Sequence, residues 1–381
     1  GGRADYTRSE NYDLERYVDF NNSLVGTKLW VTNIIQGLEA NANIRATEQF
    51  SILIGADQKN YDWENESFGV DAGEGELPET RSAFDAKVRT TGYYLEGQYR
   101  PFHYIKGIAG IRQENHSTFG TETLPLFGII INPSLQTVLK INHGKHFLAP
   151  TPNDLFWPYQ DFGYFSFQGN PDLKPETGWH SDATLEHRFL NDKVAASLSY
   201  FQWDINDKIE WLADENWLYR PVNLDSFNGK GWEAGLRIGP YEGVQLTLSY
   251  TYTDAEEETA YVTRRATYTP NHQFKAAVTH WAEFGLTTQL SARYVGDRYY
   301  YGGDKTIQEP VGTLDSYWTA DIRMIQRVFE HWSISVSGNN LFDKKYETYF
   351  SPFYDYNSGE TTLVGFPGGG RSLFLSISYD L

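Results

Sequence analysis

Cysteine is absent from the 381-residue chain, which excludes a disulfide framework, a thiolate metal site and a cysteine nucleophile, and suits an oxidising compartment. Long apolar runs are absent too. No stretch reaches the roughly 18 residues of a transmembrane helix, and the start, GGRADYTRSE, lacks the basic head and apolar middle of a signal peptide. Basic residues are scarce: 32 Lys and Arg stand against 50 Asp and Glu, a net charge of −18. That balance makes a poor nucleic-acid binder. There is one Met and no amphipathic helical pattern, while Tyr (27), Phe (23) and Trp (11) supply much of the apolar content beside 34 Gly. An aromatic-rich, glycine-rich, helix-poor chain is all-β. A hydropathy scan reads it as soluble, but that scan is blind to transmembrane strands, which show lipid only alternate residues.

What is present is period two. In VQLTLSYTYTD, Val244, Leu246, Leu248, Tyr250 and Tyr252 share one face, opposite Gln245, Thr247, Ser249, Thr251 and Thr253. WSISVSG sets Trp332, Ile334 and Val336 against three serines, and WTADIRM sets Trp318, Ala320, Ile322 and Met324 against Thr319, Asp321 and Arg323. Residues 286–294 and 372–381 repeat the split, with Phe374 interrupting the last. A soluble sandwich also alternates. Three features favour a membrane barrel over it: aromatic rings end the apolar faces, where amphipathic rings suit a membrane interface; tight connections (283–285, 328–332) alternate with long acidic and aromatic ones (57–90, 149–178, 204–230, 296–316, 343–371); and no second apolar layer is available to cover the strands in water. The expected strands are 5–17, 24–37, 47–62, 89–100, 103–117, 124–132, 136–145, 179–190, 193–206, 207–221, 230–239, 243–254, 271–281, 286–298, 316–327 and 331–340, with 371–381 closing.

Specific phrases then carry a resemblance. LKINHGKHFLAPTPNDLFWP followed by GNPDLKPETGWHSDATLEHRF, together with GIAGIRQENHSTFG, GKGWEAGLRI, LTLSYTYTDAEEE and the terminal NNLFDKKYETYFSPF…GGGRSLFLSISYDL, is similar in order and content to the barrel of TonB-dependent outer-membrane receptors. The C-terminal third most resembles their cobalamin-type branch. The resemblance implies a transmembrane antiparallel β-barrel of which this chain holds about 16 of 22 strands, located in the outer membrane of a Gram-negative bacterium. It implies partners too: outer-membrane lipid, a metal chelate such as a ferric siderophore or cobalamin, and the TonB complex, reached through a plug domain. On this reading residues 1–381 form one partial barrel domain without a plug, an N-terminal polypeptide completes the barrel, and the chain alone does not close. A passive, plug-free porin stands as the alternative, and a soluble lectin-like binder as a third reading.

Locally, Pro150, Pro152, Pro171 and Pro175 cannot donate to a ladder and so bracket an irregular segment. Glu176 is placed to accept hydrogen bonds at a strand start, and Asn339, Asn340 and Asp343 sit where the chain must turn. Gly368 to Gly370 precede a strand rather than a helix, against phosphate cradling. No catalytic constellation stands out, so the chain is expected not to be an enzyme. His143 and His146, three apart, fall on opposite faces of a strand and make a weak metal pair. Glu256, Glu257 and Glu258 read as a solvated charge run, with Ca²⁺ on such acidic loops as the alternative. Ligand contact is expected from loop aromatics: Tyr61, Trp63, Trp157, Tyr159, Tyr164, Phe165, Trp211, Trp217, Tyr219, Tyr299, Tyr300, Tyr301, Phe353, Tyr354 and Tyr356. The competing reading packs them loop on loop or into a membrane girdle. The haem branch of the family places a histidine between its two central motifs. None lies between Pro150 and Asn170, and Leu148 replaces the usual Arg, which lowers haem as ligand. An acidic loop set disfavours a strongly anionic catecholate chelate unless local cations such as Arg293 and Arg298 override the average.

Overall fold

The computed structural model describes residues 1–18, 24–70, 76–161, 166–214, 216–259, 261–301, 307–329, 331–355 and 360–379. In chain order the first elements are β1 (Gly2–Val18), β2 (Leu24–Arg45), β3 (Phe50–Val70), β4 (Glu76–Phe102), β5 (Ile105–His116), β6 (Gly120–Ser134) and β7 (Thr137–Leu148). A short helix α1 (Pro152–Phe156) and two-residue strands β8 (Gln160–Asp161) and β9 (Ser166–Phe167) follow. Then come β10 (Glu176–Phe189), β11 (Val194–Ala213), β12 (Leu218–Tyr241), β13 (Val244–Glu258), β14 (Thr263–Arg265), β15 (His272–Trp281), β16 (Leu286–Val295), β17 (Arg298–Tyr300) and β18 (Gly312–Leu314). The last are β19 (Tyr317–Phe329), β20 (Trp332–Asn339), β21 (Glu347–Asp355), β22 (Glu360–Pro367) and β23 (Ser372–Tyr379).

The chain divides into two compact units, residues 1–129, 143–179 and 205–225 in one and residues 130–142, 180–204 and 226–381 in the other. In the first, β1 to β5 form an antiparallel meander with long registers, unbroken from Gly2↔Ala40 to Val18↔Leu24 and from Phe50↔Tyr99 to Ser67↔Ser82, where β3 and β4 shift register before Gly69↔Leu77. In the second, β13, β15, β16, β19, β20 and β23 pair in turn, each antiparallel to the next. The β12–β13 turn puts Glu242 and Gly243 at φ of 48° and 78°, the left-handed pair that a two-residue hairpin of matching twist needs.

The alternation decides which way each side chain points. In the second unit, outward residues form rows: Tyr250 stands opposite Phe274, Phe274 opposite Tyr294, and Tyr294 opposite Trp318. The Tyr294 and Trp318 rings are 4.9 Å apart, and Phe274 meets Trp318 at 6.1 Å. At the other end of these strands Trp332 and Tyr379 meet at 5.0 Å. Between the two aromatic rows lie aliphatic side chains without cover: Leu373, Leu375 and Ile377 are 76%, 68% and 61% exposed. The opposite face carries Ser333, Ser335 and Ser337 beside Ser378, Ser376 and Phe374. An apolar band between aromatic girdles with a polar reverse is the surface of a strand that crosses a membrane. Buried apolar side chains gather instead at strand ends and connections, Phe68, Val70, Leu155 and Leu173 in the first unit and Val295, Leu314 and Tyr317 in the second.

Four expected boundaries are corrected. The reading placed separate strands at 193–206 and 207–221, but Val194–Ala213 is one strand. The Asp-Ile-Asn-Asp run resembles a turn, and Asp207 does take a left-handed φ of 56°, but the chain carries on through it as a local irregularity. The expected loops at 57–90 and 204–230 are largely hairpins of β3 with β4 and of β11 with β12, and 343–371 contains the paired β21 and β22. Polarity there reports solvent and not the end of pairing. Segment 149–175 holds α1, with Pro152 in its first turn and a reciprocal Thr151–Asp154 cap. Glu176 accepts a hydrogen bond from the Ile209 N–H at 2.7 Å, as its position suggested.

Candidate functional site

The first unit carries a recess on its polar face. Because side chains alternate, β3 directs Asp57, Lys59, Tyr61 and Trp63 to one face, and the register through Gly92 and Thr90 of β4 brings Arg112, Glu114 and His116 of β5 to the same face. Phe147, Ala149, Pro150 and Pro152 complete a cavity of about 290 Å³, at the lower edge of the usual range for ligand sites. Two glycines make the room. A Cβ on Gly92 would lie 2.0 Å from Arg112 Nη2, and one on Gly55 would lie 2.3 Å from the Tyr94 ring.

The floor is a charge network. Arg112 donates to both carboxylate oxygens of Asp57, at 2.7 and 3.1 Å, and through Nε to Glu114 at 2.8 Å. This bidentate geometry fixes the guanidinium plane. Its Cζ sits 5.7 Å from the Tyr94 ring, and the Tyr94 hydroxyl donates to Glu39 at 2.9 Å. Above the floor, Tyr61 and Trp63 lie near parallel, 6.4 Å apart at 19°. His116 stacks on Phe119 at 4.0 Å and accepts the Thr118 N–H on Nδ1. A neutral imidazole with Nδ1 accepting carries its proton on Nε2, so His116 is a donor and not a metal ligand in this state. The recess thus offers two aromatic planes, one donor and fixed charges.

Most of the other described aromatics named from sequence contact neighbouring side chains. Trp211 donates to Asp154 Oδ1 at 2.8 Å and meets Phe167 at 5.9 Å; Tyr219 meets Phe167 at 5.2 Å; Trp157 donates to Gln160 at 3.1 Å. These form one loop cluster around α1, while Tyr159 and Trp217 are exposed. In the second unit Tyr300 stacks on Tyr268 at 5.5 Å, Tyr299 lies beneath Arg265 at 5.4 Å, and Tyr301 is buried beneath Arg264 at 4.5 Å, with burial pushing its hydroxyl pKa up. Tyr164, Phe165 and Tyr356 lie outside the described residues, as do the side chains of Phe353 and Tyr354. The sequence reading missed Arg112, Glu114 and His116. Their signal was present: positions two apart in a strand share a face, and GIRQENH sets these three opposite Ile111.

The acidic run is a correction. Glu257 is only 3% exposed and is held by Arg264 Nε at 2.7 Å, with the Thr267 hydroxyl donating at 3.2 Å. Glu256 and Glu258 are exposed, because alternation sends the middle residue inward. No grouping of three His, Asp or Glu side chains suited to a metal exists among the described residues. His143 stacks on Trp179 at 4.6 Å. Asn340, at φ 47°, is a turn residue with every side-chain group engaged: Nδ2 donates to the Lys344 and Gly369 carbonyls and Oδ1 accepts from the Lys344 N–H. Beside it, the Arg371 N–H, and then the Lys345 ammonium, hold the Asp343 carboxyl below the usual carboxylate range. A depressed folded-state pKa gives stability that is present above the unfolded value and lost as pH falls through the folded one. Hydrogen exchange should therefore show the Arg371 amide protected through about pH 4 and released only in stronger acid. In Asp343→Asn the acid-dependent step should vanish, and a step that persists would place its origin elsewhere.

These strands, apolar outside and polar inside between aromatic rows, define an outer-membrane β-barrel protein. A family model described as TonB dependent receptor-like, beta-barrel, matches residues 1–341, and the chain belongs to that family. Among curated relatives, the vitamin B12 transporter BtuB of Vibrio vulnificus (strain YJ016) is 29% identical over 289 residues, covering 74% of this chain and 42% of the relative. The ferripyoverdine receptor of Pseudomonas aeruginosa is 24% identical over 341 residues, covering 84% and 39%. Among solved structures, a mutant of the ferric enterobactin receptor PfeA from Pseudomonas aeruginosa superposes with a TM-score of 0.75 at 16% identity, covering 99% of this chain and 59% of that one. The chain spans less than half the length of the curated relatives it matches.

Proposed function

We propose that the whole protein is an outer-membrane receptor that imports a metal chelate, a ferric siderophore or a cobalamin-like ligand, with energy delivered through TonB. The Tyr61 and Trp63 recess is where an apolar face of that chelate rests. The observation that carries this reading is the pairing of two near-parallel rings at 6.4 Å with a floor in which Arg112, Asp57 and Glu114 are hydrogen-bonded to one another, which supplies stacking surface without an unpaired charge beneath it. The family match and the names of the relatives support the ligand class. In this reading residues 1–381 belong wholly to the barrel, and the plug that engages TonB lies outside them.

The test is equilibrium binding of a ferric siderophore panel and of cobalamin to the whole receptor. Tyr61→Ala and Trp63→Ala should each weaken the bound chelate by up to about tenfold, the worth of one aromatic contact, whereas Tyr159→Ala should change it little. Affinity for neither ligand class would remove the proposal. A steady, large conductance of the whole protein in planar bilayers would favour the passive pore instead.

A further inference from the structure

The outward face of the first unit changes from apolar to cationic within one stretch of β4. Its strands turn tightly at residues 46–49 and 103–104, and short turns mark the periplasmic end of an outer-membrane barrel. Away from those turns the register stacks one row above another across β3, β4 and β5. Ile54, Leu95 and Ile111 form an exposed aliphatic row, with Ala56, Tyr93 and Gln113 above it. Gln58, Thr91 and Asn115 follow, then Asn60 beside Arg89, then Asp62 beside Lys87. On β2, Gln36 stands opposite Asn60 and Ile34 opposite Asp62. Tyr93 thus marks the rim of the apolar band, and the amide and cationic side chains begin where headgroups replace acyl chains.

That level carries a cavity of about 540 Å³, lined among others by Gln36, Asn60, Lys87, Arg89 and Ser117. Arg89 is fixed in it. Its backbone N–H donates to the Ser117 hydroxyl at 3.0 Å and its Nε to Asn60 Oδ1 at 3.1 Å, while among the described residues its two Nη groups have no partner. Lys87 is 74% exposed and meets the Asp62 carboxylate at 3.3 Å. A guanidinium held by one edge presents its other edge to a ligand, in the fork that matches phosphate. The cavity lies within β2 to β5, paired on both sides, and opens away from the lumen, so neither a plug nor further strands of a barrel would cover it. The next row outwards is acidic, with Glu64 directly opposite Asp85, which confines an anion to the level of the cations.

A second cavity on the same face narrows the kind of ligand. Phe50, Ile52, Leu95, Ile111 and Phe127 wall an apolar trough of about 380 Å³ over Gly97 and Ala109. Gly97 keeps it open: a Cβ there would come no nearer than 3.5 Å, to the Phe50 ring, so a larger side chain would fill the trough without a clash. Leu95 stands six residues below Arg89 on β4, about 20 Å along the strand, within reach of a lipid tail whose phosphate rests on the cations. A soluble sugar phosphate makes no use of the trough. A phosphorylated glycolipid has a group for each part: phosphate for Arg89 and Lys87, sugar hydroxyls for the Gln36 and Asn60 amides, and an acyl chain for the trough.

We propose that Gln36, Asn60, Lys87 and Arg89, with the trough over Gly97 below them, seat one phosphorylated glycolipid of the outer leaflet against β2 to β5. The inference rests on the membrane placement of these strands and is independent of which chelate the receptor takes.

The test is native mass spectrometry of the whole receptor, purified in detergent and stripped of lipid, with bisphosphorylated lipid A, phosphatidylglycerol and glucosamine 1-phosphate as probes. The wild type should bind lipid A more tightly than either other probe. Arg89→Ala should weaken lipid A roughly tenfold, the worth of a charge-assisted hydrogen bond, and Lys87→Ala about threefold, since that ammonium is already shared with Asp62. Gly97→Leu should weaken lipid A and leave glucosamine 1-phosphate unchanged. Lys275→Ala, which removes an exposed cation from the polar face of the second unit, should change nothing. Heat-modifiable gel migration confirms that each variant is folded. Lipid A bound equally by the wild type and both cation variants overturns the seat. Glucosamine 1-phosphate binding as tightly as lipid A also overturns it, by showing a site for a soluble sugar phosphate, and phosphatidylglycerol binding as tightly does so by showing attraction of any anionic lipid. None of these outcomes touches the receptor reading, which stands or falls on chelate binding.

Discussion

Glu257→Ala should destabilise the β13–β14 hairpin and its surrounding loops by about 3–5 kcal/mol, because it leaves the Arg264 guanidinium buried without its carboxylate. The two side chains are 3% and 8% exposed at the ion pair. Arg264 has further ties, to the Ile307 carbonyl at 2.9 Å and to the face of Tyr301 at 4.5 Å, so loss of the carboxylate strands a charge that the loop cannot simply turn out to water. Arg264→Ala should cost a similar amount from the other side. The double variant Glu257→Leu/Arg264→Met removes both charges and should recover most of the loss, since a buried pair replaced by apolar groups of similar size is often close to neutral. Hydrogen exchange of residues 261–271 in the whole receptor reads the effect, with the membrane-crossing part of β13 as internal control. If the single variants exchange as the wild type does, the pair is solvated in solution and the assigned role fails.

The contrast between Glu257 and its neighbours shows where sequence reading succeeds and where it stops. The alternation of VQLTLSYTYTD was legible because a strand's two faces differ whenever one meets lipid. The same rule, carried three residues further, would have turned Glu257 inward and its neighbours outward. A run of three like charges hides that, since composition is read before face. The long hairpins were illegible for a related reason. Residues 57–67 carry polar and acidic side chains on both faces, yet the backbone stays paired with β2 on one side and β4 on the other throughout. Polarity marks the edge of the bilayer, and only pairing marks the end of the strand.

The site divides along the same line. Tyr61 and Trp63 could be nominated from local sequence, and their shared face followed from their spacing. That Trp211 serves Asp154 could not, because its partner lies 57 residues away and the contact exists only once α1 has folded against β11. Arg112 and Asp57, 55 residues apart, are likewise joined by register alone. Arg293 was visible as an isolated cation. That Lys275 stands directly opposite it depends on the pairing of β15 with β16, which no single segment encodes.

Leu290→Arg should cost about 2–4 kcal/mol of folding stability in bilayers, the penalty for a guanidinium on the lipid face near the midplane, whereas Gln289→Arg, one residue away, should cost less than about 1 kcal/mol, the repulsion of Arg323 directly opposite. Leu290 is 51% exposed on the apolar face, between Val278 and Ile322 across the two neighbouring strands. Both neighbours are aliphatic, and the aromatic residues of the adjoining Tyr294 and Trp318 row lie four residues further along β16 and β19. Arginine at 290 therefore has no partner within its row and must either bend towards the interface or draw water into the band. Gln289 faces the polar interior, opposite Thr279 and Arg323, where an added cation is solvated. The size and chemistry of the introduced side chain are identical in the two variants, so a difference between them reports only which face meets lipid. Urea unfolding of the whole receptor in vesicles measures it. In detergent the gap should narrow, because a micelle thins readily around a buried charge. A penalty at 289 equal to or larger than that at 290 would overturn the assignment of faces on β16.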